Sequence, residues 1–306
     1  MQSGRLFQRR FDLRRVFPHP PRVQPLEAEE IRKAVAAALA EDIGSGDVTT
    51  LATIPERAVA KAVMRARESL VLSGLQLAQA AFEQLSPDIR FVSAANEGQR
   101  LARGGVILEL SGPARSILGA ERVALNFVQR LSGVATLAAQ YVEAIQGTKA
   151  KILDTRKTTP GWRRLEKYAV QCGGGHNHRF GLYDMVLIKD NHLAALKDAP
   201  PNAVAAAVKA ARKTYPKLKI EVEADTLEQV EQAVEAGADM VLLDNMNAVQ
   251  LRLAVRACKG KALTEASGGV NLASVRAIAE TGVDFISVGA LTHSARAVDI
   301  GLDFEL

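Results

Sequence analysis

From Lys151 onward the chain repeats one pattern: a short apolar run, a polar loop, then an amphipathic stretch. KIEVEAD leads into TLEQVEQAVEAG, ADMVLLDN into NAVQLRLAVRAC, and KALTEASGG into NLASVRAIAETG, with VDFISVGALTH closing the series. The apolar runs have strand length and the segments between them have helical spacing. EAGADMVLLD (235–244) and ETGVDFISVG (280–289) form a weak internal repeat of a helix C-cap glycine, an acid and a buried strand. Such alternation builds a parallel sheet, because each strand returns through a helix. With Ile152–Leu153 and Met185–Ile188 included, about six strands are expected, against eight in a full barrel. The expected class is therefore α/β, with an open, incomplete barrel.

The N-terminal part reads differently. LEAEEIRKAVAAALAED has helical spacing with acids in its first turn. Val59–Arg67, Ile89–Ala95 and Val106–Leu110 read as strands, with the helix LSGLQLAQAAFEQL between the first two. Ser116–Ile145 reads as two helices, or one helix kinked near Ser132–Gly133. Asp42 and Asp47, in EDIGSGDVTT, read as turn and capping residues.

The net charge of +5 sits entirely in residues 1–25, where six arginines face one acid, Asp12. The rest is neutral, which argues against nucleic acid as the main substrate. The leader is Arg-rich like an organellar transit peptide, but it is short and poor in Ser, which favours a disordered extension. No apolar run reaches the length of a membrane span. Two cysteines, Cys172 and Cys258, make no disulfide framework and point to a reducing cytoplasm.

In a barrel of this kind the loops at the C-terminal strand ends form the active site. Here those ends carry Arg156 and Lys157, Lys189, Glu223, Asp244, Ser267-Gly268-Gly269 and Gly289-Ala290, and the central stretch adds His178 and Arg179. So many cations imply a small, strongly anionic ligand. The glycine turns after the last two strands fit phosphate, which backbone N–H groups can cradle. Glu223 and Asp244 suit Mg²⁺ shared with substrate oxygens, or ribose hydroxyls. A Schiff-base role for Lys189 is disfavoured by its cationic company. Cys172, His176 and His178 match no standard zinc spacing. Trp162 reads as packing.

At these residues the chain resembles the quinolinate phosphoribosyltransferases. The resemblance rests on EDIGSGDVTT, ERVALNFVQRLSGVAT, DTRKTTPGWRRLEKYAVQCGGGHNHRFGLYDMVLIKDNH, IEVEADTLEQ, DMVLLDNM, EASGGV and GVDFISVGALTHS. It runs from about residue 26 to the C-terminus. It implies an N-terminal α/β sandwich over 26–130, joined by 292–306, and an open α/β barrel over 131–291. It implies a homodimer that converts quinolinate and phosphoribosyl pyrophosphate into nicotinate mononucleotide, pyrophosphate and CO₂ with Mg²⁺, a step of NAD biosynthesis. By the same resemblance Arg156, His178 and Arg179 bind quinolinate, Arg122 joins them from the other subunit, and Thr158 belongs to the substrate-binding set. Lys157 and Lys189 reach the phosphates, Glu223 and Asp244 serve ribose and Mg²⁺, and Ser267, Gly268, Gly269, Gly289 and Ala290 hold the 5′-phosphate. The nearest alternative is a molybdenum-transport-associated relative of the same fold. A nicotinate or nicotinamide phosphoribosyltransferase would not need Arg122, Arg156 and Arg179 together.

Overall fold

The computed structural model describes residues 23–305, so the extension expected over 1–25 lies outside them except for its last three residues. Of these, Gln24 donates its N–H to the Gln171 side chain at 3.0 Å, and Pro25 O accepts from Arg164 at 2.9 Å. No helix among the described residues is long and apolar enough to cross a membrane. The chain divides into two compact units. One takes the described chain up to Gln140, Lys157–His176 and everything from Gly289 on; the other takes Tyr141–Arg156 and Asn177–Val288.

The first unit opens with α1 (Ala28–Ile43), whose first turn carries Glu29 and Glu30 next to the unpaired amides of the helix start. Asp47 caps α2 (Val48–Thr53), accepting the Thr50 N–H at 3.0 Å, whereas Asp42 lies within the last turn of α1. Strands β1 (Val59–Ala66), β2 (Leu70–Val71), β3 (Arg90–Ser93), β4 (Arg100–Leu101) and β5 (Val106–Pro113) follow, with α3 (Leu75–Leu85) before β3. β1, β5 and β3 are antiparallel neighbours, and β2 pairs with β4. The buried stripe of α3 includes Leu77, Ala78, Ala81 and Phe82, and the Phe82 ring lies 6.3 Å from that of Phe91 in β3. That stripe is what fastens the helix to the sheet.

Of the span Ser116–Ile145, all but Ile145 lies in one continuous helix, α4 (Ala114–Ala144), rather than two. Its two apparent breakers are contact points. Ser132 accepts the Ser73 N–H at 2.9 Å and donates to Ser73 O at 3.1 Å. A Cβ at Gly133 would stand 2.0 Å from Arg296 O, so only glycine lets the C-terminal segment lie on the helix. The helix propensity forgone, about 1 kcal/mol, is small beside that packing.

The second unit is the barrel. Its strands are β6 (Lys151–Leu153), β7 (Val186–Ile188), β8 (Ile220–Ala224), β9 (Met240–Asp244), β10 (Leu263–Ser267) and β11 (Phe285–Ser287). They lie in the order β6-β11-β10-β9-β8-β7, all parallel, and β6 and β7 end the sheet among the described residues. The barrel is thus six-stranded and open. In chain order α5 (Arg163–Cys172) follows β6 and belongs to the first unit. The barrel helices are α6 (Asp190–Ala194), α7 (Ala203–Thr214), α8 (Leu227–Glu235), α9 (Ala248–Cys258) and α10 (Val275–Ala279). After β11 the chain forms α11 (Ala290–His293) and then β12 (Ile300–Glu305), which returns to the first unit and pairs antiparallel with β1.

The internal repeat is visible in the fold. Gly237 and Gly282 follow α8 and α10 with φ of 80° and 88°. The acid after each glycine joins neighbouring strands. Asp239 accepts the Ile220 N–H and Asp284 the Thr264 N–H, each at 2.9 Å, so one strand is tied to the start of the next. The helix expected over NLASVRAIAETG is shorter, because Asn271 Oδ1 takes the N–H groups of Ala273 and Ser274 into a turn before α10 begins.

Residues two apart on a strand share a face. On the inner face of the barrel Leu153, Met240, Leu263 and Phe285 form a buried apolar floor. The same face of β8, β9 and β10 carries Glu221 and Glu223, Asp244, and Glu265 and Ser267. Glu223 and Glu265 both register with Leu242 of β9.

Candidate active site

Above that floor lies a layer of buried charge. His178 Nε2 is 3.0 Å from Glu221 Oε2 and 3.3 Å from Glu265 Oε2, with the two glutamates 0% and 1% exposed. The loop that delivers His178 is held by Asp154, buried just beyond β6, which accepts from Asn177 Nδ2 at 2.7 Å and from the His178 N–H at 2.8 Å. His178 Nδ1 accepts the Arg179 N–H at 2.8 Å. Both ring nitrogens therefore have protein partners.

Burial alone would lower the pKa of His178, but Glu265 and Glu221 outweigh it and lift it to about 11. Burial, then the charge of Glu265, raises Glu221 to about 7. Both shifts favour extra protons on the trio, so at neutral pH it is less negative than two free carboxylates would make it. The folded state then binds more protons than the unfolded chain from about pH 4.5 to about pH 11, so the stability supplied by the trio falls as pH rises through that window. Glu265→Gln removes the charge behind both shifts. Its urea-unfolding free energy should decline less between roughly pH 6 and pH 9 than that of the wild type, one proton being worth about 1.4 kcal/mol per pH unit. Parallel slopes would show that the charge of Glu265 does not hold the extra protons on the trio.

Of the expected cations, Arg156, Arg179 and Lys189 belong to the barrel unit. Arg179 is half-buried and donates to Met185 O at 3.2 Å; burial and then the charge of Arg156 lower its pKa. The two guanidiniums are close enough to repel, so a bound dianion would relieve both. Lys189 Nζ lies 3.1 Å from Glu223 Oε2, across neighbouring strand ends. Asp244 Oδ2 accepts from Asn245 Nδ2 at 2.7 Å. Gly268 has φ of 95°, and a Cβ there would strike Asn245 Oδ1 at 2.1 Å, so this turn closes over Asn245 only with glycine. Gly269 faces open space. The helix after this turn starts only at Val275, so the Ser267–Gly269 amides stand apart from it.

The remaining expected residues lie in the first unit. Gly289 caps α11, and the Lys157 side chain passes over it: a Cβ on Gly289 would meet Lys157 Cδ at 3.0 Å. Ala290 opens the helix. Thr158 Oγ1 accepts from Arg163 Nε at 3.0 Å. Arg122 is exposed on α4. Trp162 stacks on Phe127 at 5.2 Å and lines a cavity of about 430 Å³ with α1 and α4, so it packs as expected. Cys172 is buried 3.8 Å from Glu97, and burial lifts its thiol to about 12.

Sequence reading missed Glu221, Glu265 and Asp154. The first two had a usable signal, since Glu221 stands two residues before Glu223, and Glu265 two before Ser267, on the same faces.

An open parallel barrel that gathers arginines, lysines and carboxylates at the C-terminal ends of its strands defines a class of enzymes that handle small polyanions. Residues 47–132 match the model for the quinolinate phosphoribosyl transferase N-terminal domain, and residues 134–303 match that for its C-terminal domain. The chain belongs to the quinolinate phosphoribosyltransferase family. It is 41% identical over 278 residues to the probable nicotinate-nucleotide pyrophosphorylase (carboxylating) of Bacillus subtilis, covering 90% of this chain and 94% of that protein. It is 43% identical to the Mycobacterium leprae nicotinate-nucleotide pyrophosphorylase (carboxylating), covering 90% and 98%. The solved nicotinate-nucleotide pyrophosphorylase of Francisella tularensis superposes with a TM-score of 0.87 at 40% identity, covering 94% of this chain and all of that one.

Proposed function

We propose that this enzyme transfers the phosphoribosyl group of phosphoribosyl pyrophosphate to quinolinate and releases CO₂, giving nicotinate mononucleotide and pyrophosphate for NAD biosynthesis. The observation that carries the reading is half-buried Arg179, which feels the charge of Arg156 and directly follows His178, the residue seated on buried Glu221 and Glu265. Two guanidiniums held this way suit a planar dicarboxylate, and Arg122 of a partner subunit would complete the pocket. His178 acts from beneath, seating Arg179 through its backbone N–H.

Lys157, Lys189, Ser267–Gly269, Gly289 and Ala290 receive the phosphates. Glu223 and Asp244 end adjacent strands with hard oxygen donors, which fits Mg²⁺ held jointly with substrate oxygens. When bound, that ion would stabilise charge on the departing pyrophosphate. The C1′–O bond to pyrophosphate breaks as the quinolinate ring nitrogen bonds to C1′. Glu223 stabilises the positive charge that builds on the sugar while these two bonds exchange. The pyridinium then accepts the electron pair of the breaking C2–carboxylate bond, CO₂ leaves, and C2 takes a proton. The working unit is a homodimer in the cytoplasm, with no nucleic-acid or membrane partner. The relatives described above are named as pyrophosphorylases, and the molybdenum-transport-associated alternative is not favoured.

Purified protein with phosphoribosyl pyrophosphate and Mg²⁺ should form nicotinate mononucleotide and CO₂ from quinolinate but not from nicotinate; product from nicotinate alone would overturn the reading. Arg179→Ala should abolish quinolinate binding while phosphoribosyl pyrophosphate still binds. Equal weakening of both in direct titration would remove Arg179 from the carboxylate pocket.

A further inference from the structure

We infer that Arg130 and Glu166 are positioning residues that couple two phosphate-binding loops, the one carrying Lys157 and the one opened by Gly289. This rests on the reading above for the identity of the ligand. The geometry stands independently.

Glu166 lies in α5 and is completely buried, yet it is ionisable and faces no proposed substrate group. Its Oε2 accepts the Thr159 N–H at 3.0 Å, and its Oε1 accepts the Thr159 hydroxyl at 2.9 Å. Both bonds fix the loop two residues past Lys157. Oε1 also accepts from Arg130 Nη2 at 2.9 Å. Arg130 projects from α4 and gives two further hydrogens to the second loop, donating to Thr292 O at 2.6 Å and to Ala295 O. The circuit closes where the Thr292 hydroxyl donates to Lys157 O at 2.7 Å.

Each loop is thus held by the same carboxylate–guanidinium pair and by the other loop. A carboxylate this buried is costly unless every neighbour is in place, so the pair has one low-energy arrangement. That arrangement sets the distance between the Lys157 ammonium and the α11 amides. A phosphoribosyl pyrophosphate carries charged groups at both ends, and its binding requires both loops at a fixed spacing. Quinolinate, assigned to Arg156 and Arg179, does not touch this circuit.

The test uses the full chain with Arg130→Met, Arg130→Lys, Glu166→Gln and the milder Thr292→Val, which removes one hydroxyl and keeps the shape. Two measurements are made. Amide hydrogen exchange should quicken in 157–162 and 289–295 together in Arg130→Met and Glu166→Gln, with β8–β10 unchanged. Loosening of one loop alone, or of neither, would overturn the coupling. Steady-state kinetics should show KM for phosphoribosyl pyrophosphate raised about tenfold, the size of one lost charge-assisted hydrogen bond, with KM for quinolinate within about twofold. Arg130→Lys should recover part of the loss. Equal rises in both KM values would show a merely structural role. If Arg130→Met does not fold, Thr292→Val must show the same selectivity at smaller size, or the proposal fails. Absence of any wild-type turnover would overturn the functional reading alone, since the exchange data would still decide the coupling.

Discussion

Glu223→Gln is expected to lower turnover by about 10²- to 10³-fold at saturating substrates while leaving the fold intact. The substitution keeps size and removes one charge at the end of β8. In the structure that charge faces Lys189, whose side chain is 47% exposed. An ion pair so open to water contributes roughly 0–1 kcal/mol, so thermal unfolding should hardly move. A loss of turnover at constant Tm then isolates the electrostatic role: the carboxylate stabilises positive charge on the ribose, and the amide does not. Near-normal turnover would sink that role and leave Glu223 as a partner for Lys189.

The second large effect concerns the subunit contact. Arg122→Ala and Lys189→Ala should each be inactive alone, and a mixture that exchanges subunits should recover about a quarter of wild-type activity by the symmetry of an isologous dimer. In a mixed dimer one site carries both lesions and the other neither, provided that the Arg122 and Lys189 of one site come from different chains. Arg122 is exposed on α4 in the single chain, as a residue that serves a partner must be. A desolvated arginine–carboxylate pair is strong, so the site should fail without it. Verified exchange with no recovered activity would assign Arg122 to its own subunit.

The barrel is legible because its βα units repeat and each local pattern agrees with the fold. Even the acids of the repeat stand out in the sequence, although only the structure shows that Asp239 and Asp284 bond the starts of neighbouring strands. What is not legible depends on partners far away in sequence. Gly133 looks like a helix breaker until Arg296 is known to lie on it. Asn271 is the local exception: it looks helical, but its side chain takes the N–H groups of nearby Ala273 and Ser274 into a turn. Glu221 and Glu223 share a face and a residue type, and only depth in the barrel separates a buried partner of His178 from a strand-end group beside Lys189. Likewise, nothing local to Glu166 distinguishes it from a solvated helix acid. Its burial follows from α4 bringing Arg130 to it.

Strand β12 has a consequence for how the protein is made. β1 has two neighbours in its sheet: β5, soon after it in the chain, and β12, the last element described. Arg67, just past β1, pairs with Asp303 of β12 across 236 residues. A ribosome releasing this chain must emit every barrel strand before that edge of β1 can be covered. Until then the nascent sandwich presents an unpaired strand edge, the kind of surface that invites pairing with another chain. Completion of the first sheet therefore has to wait until every barrel strand has been synthesised.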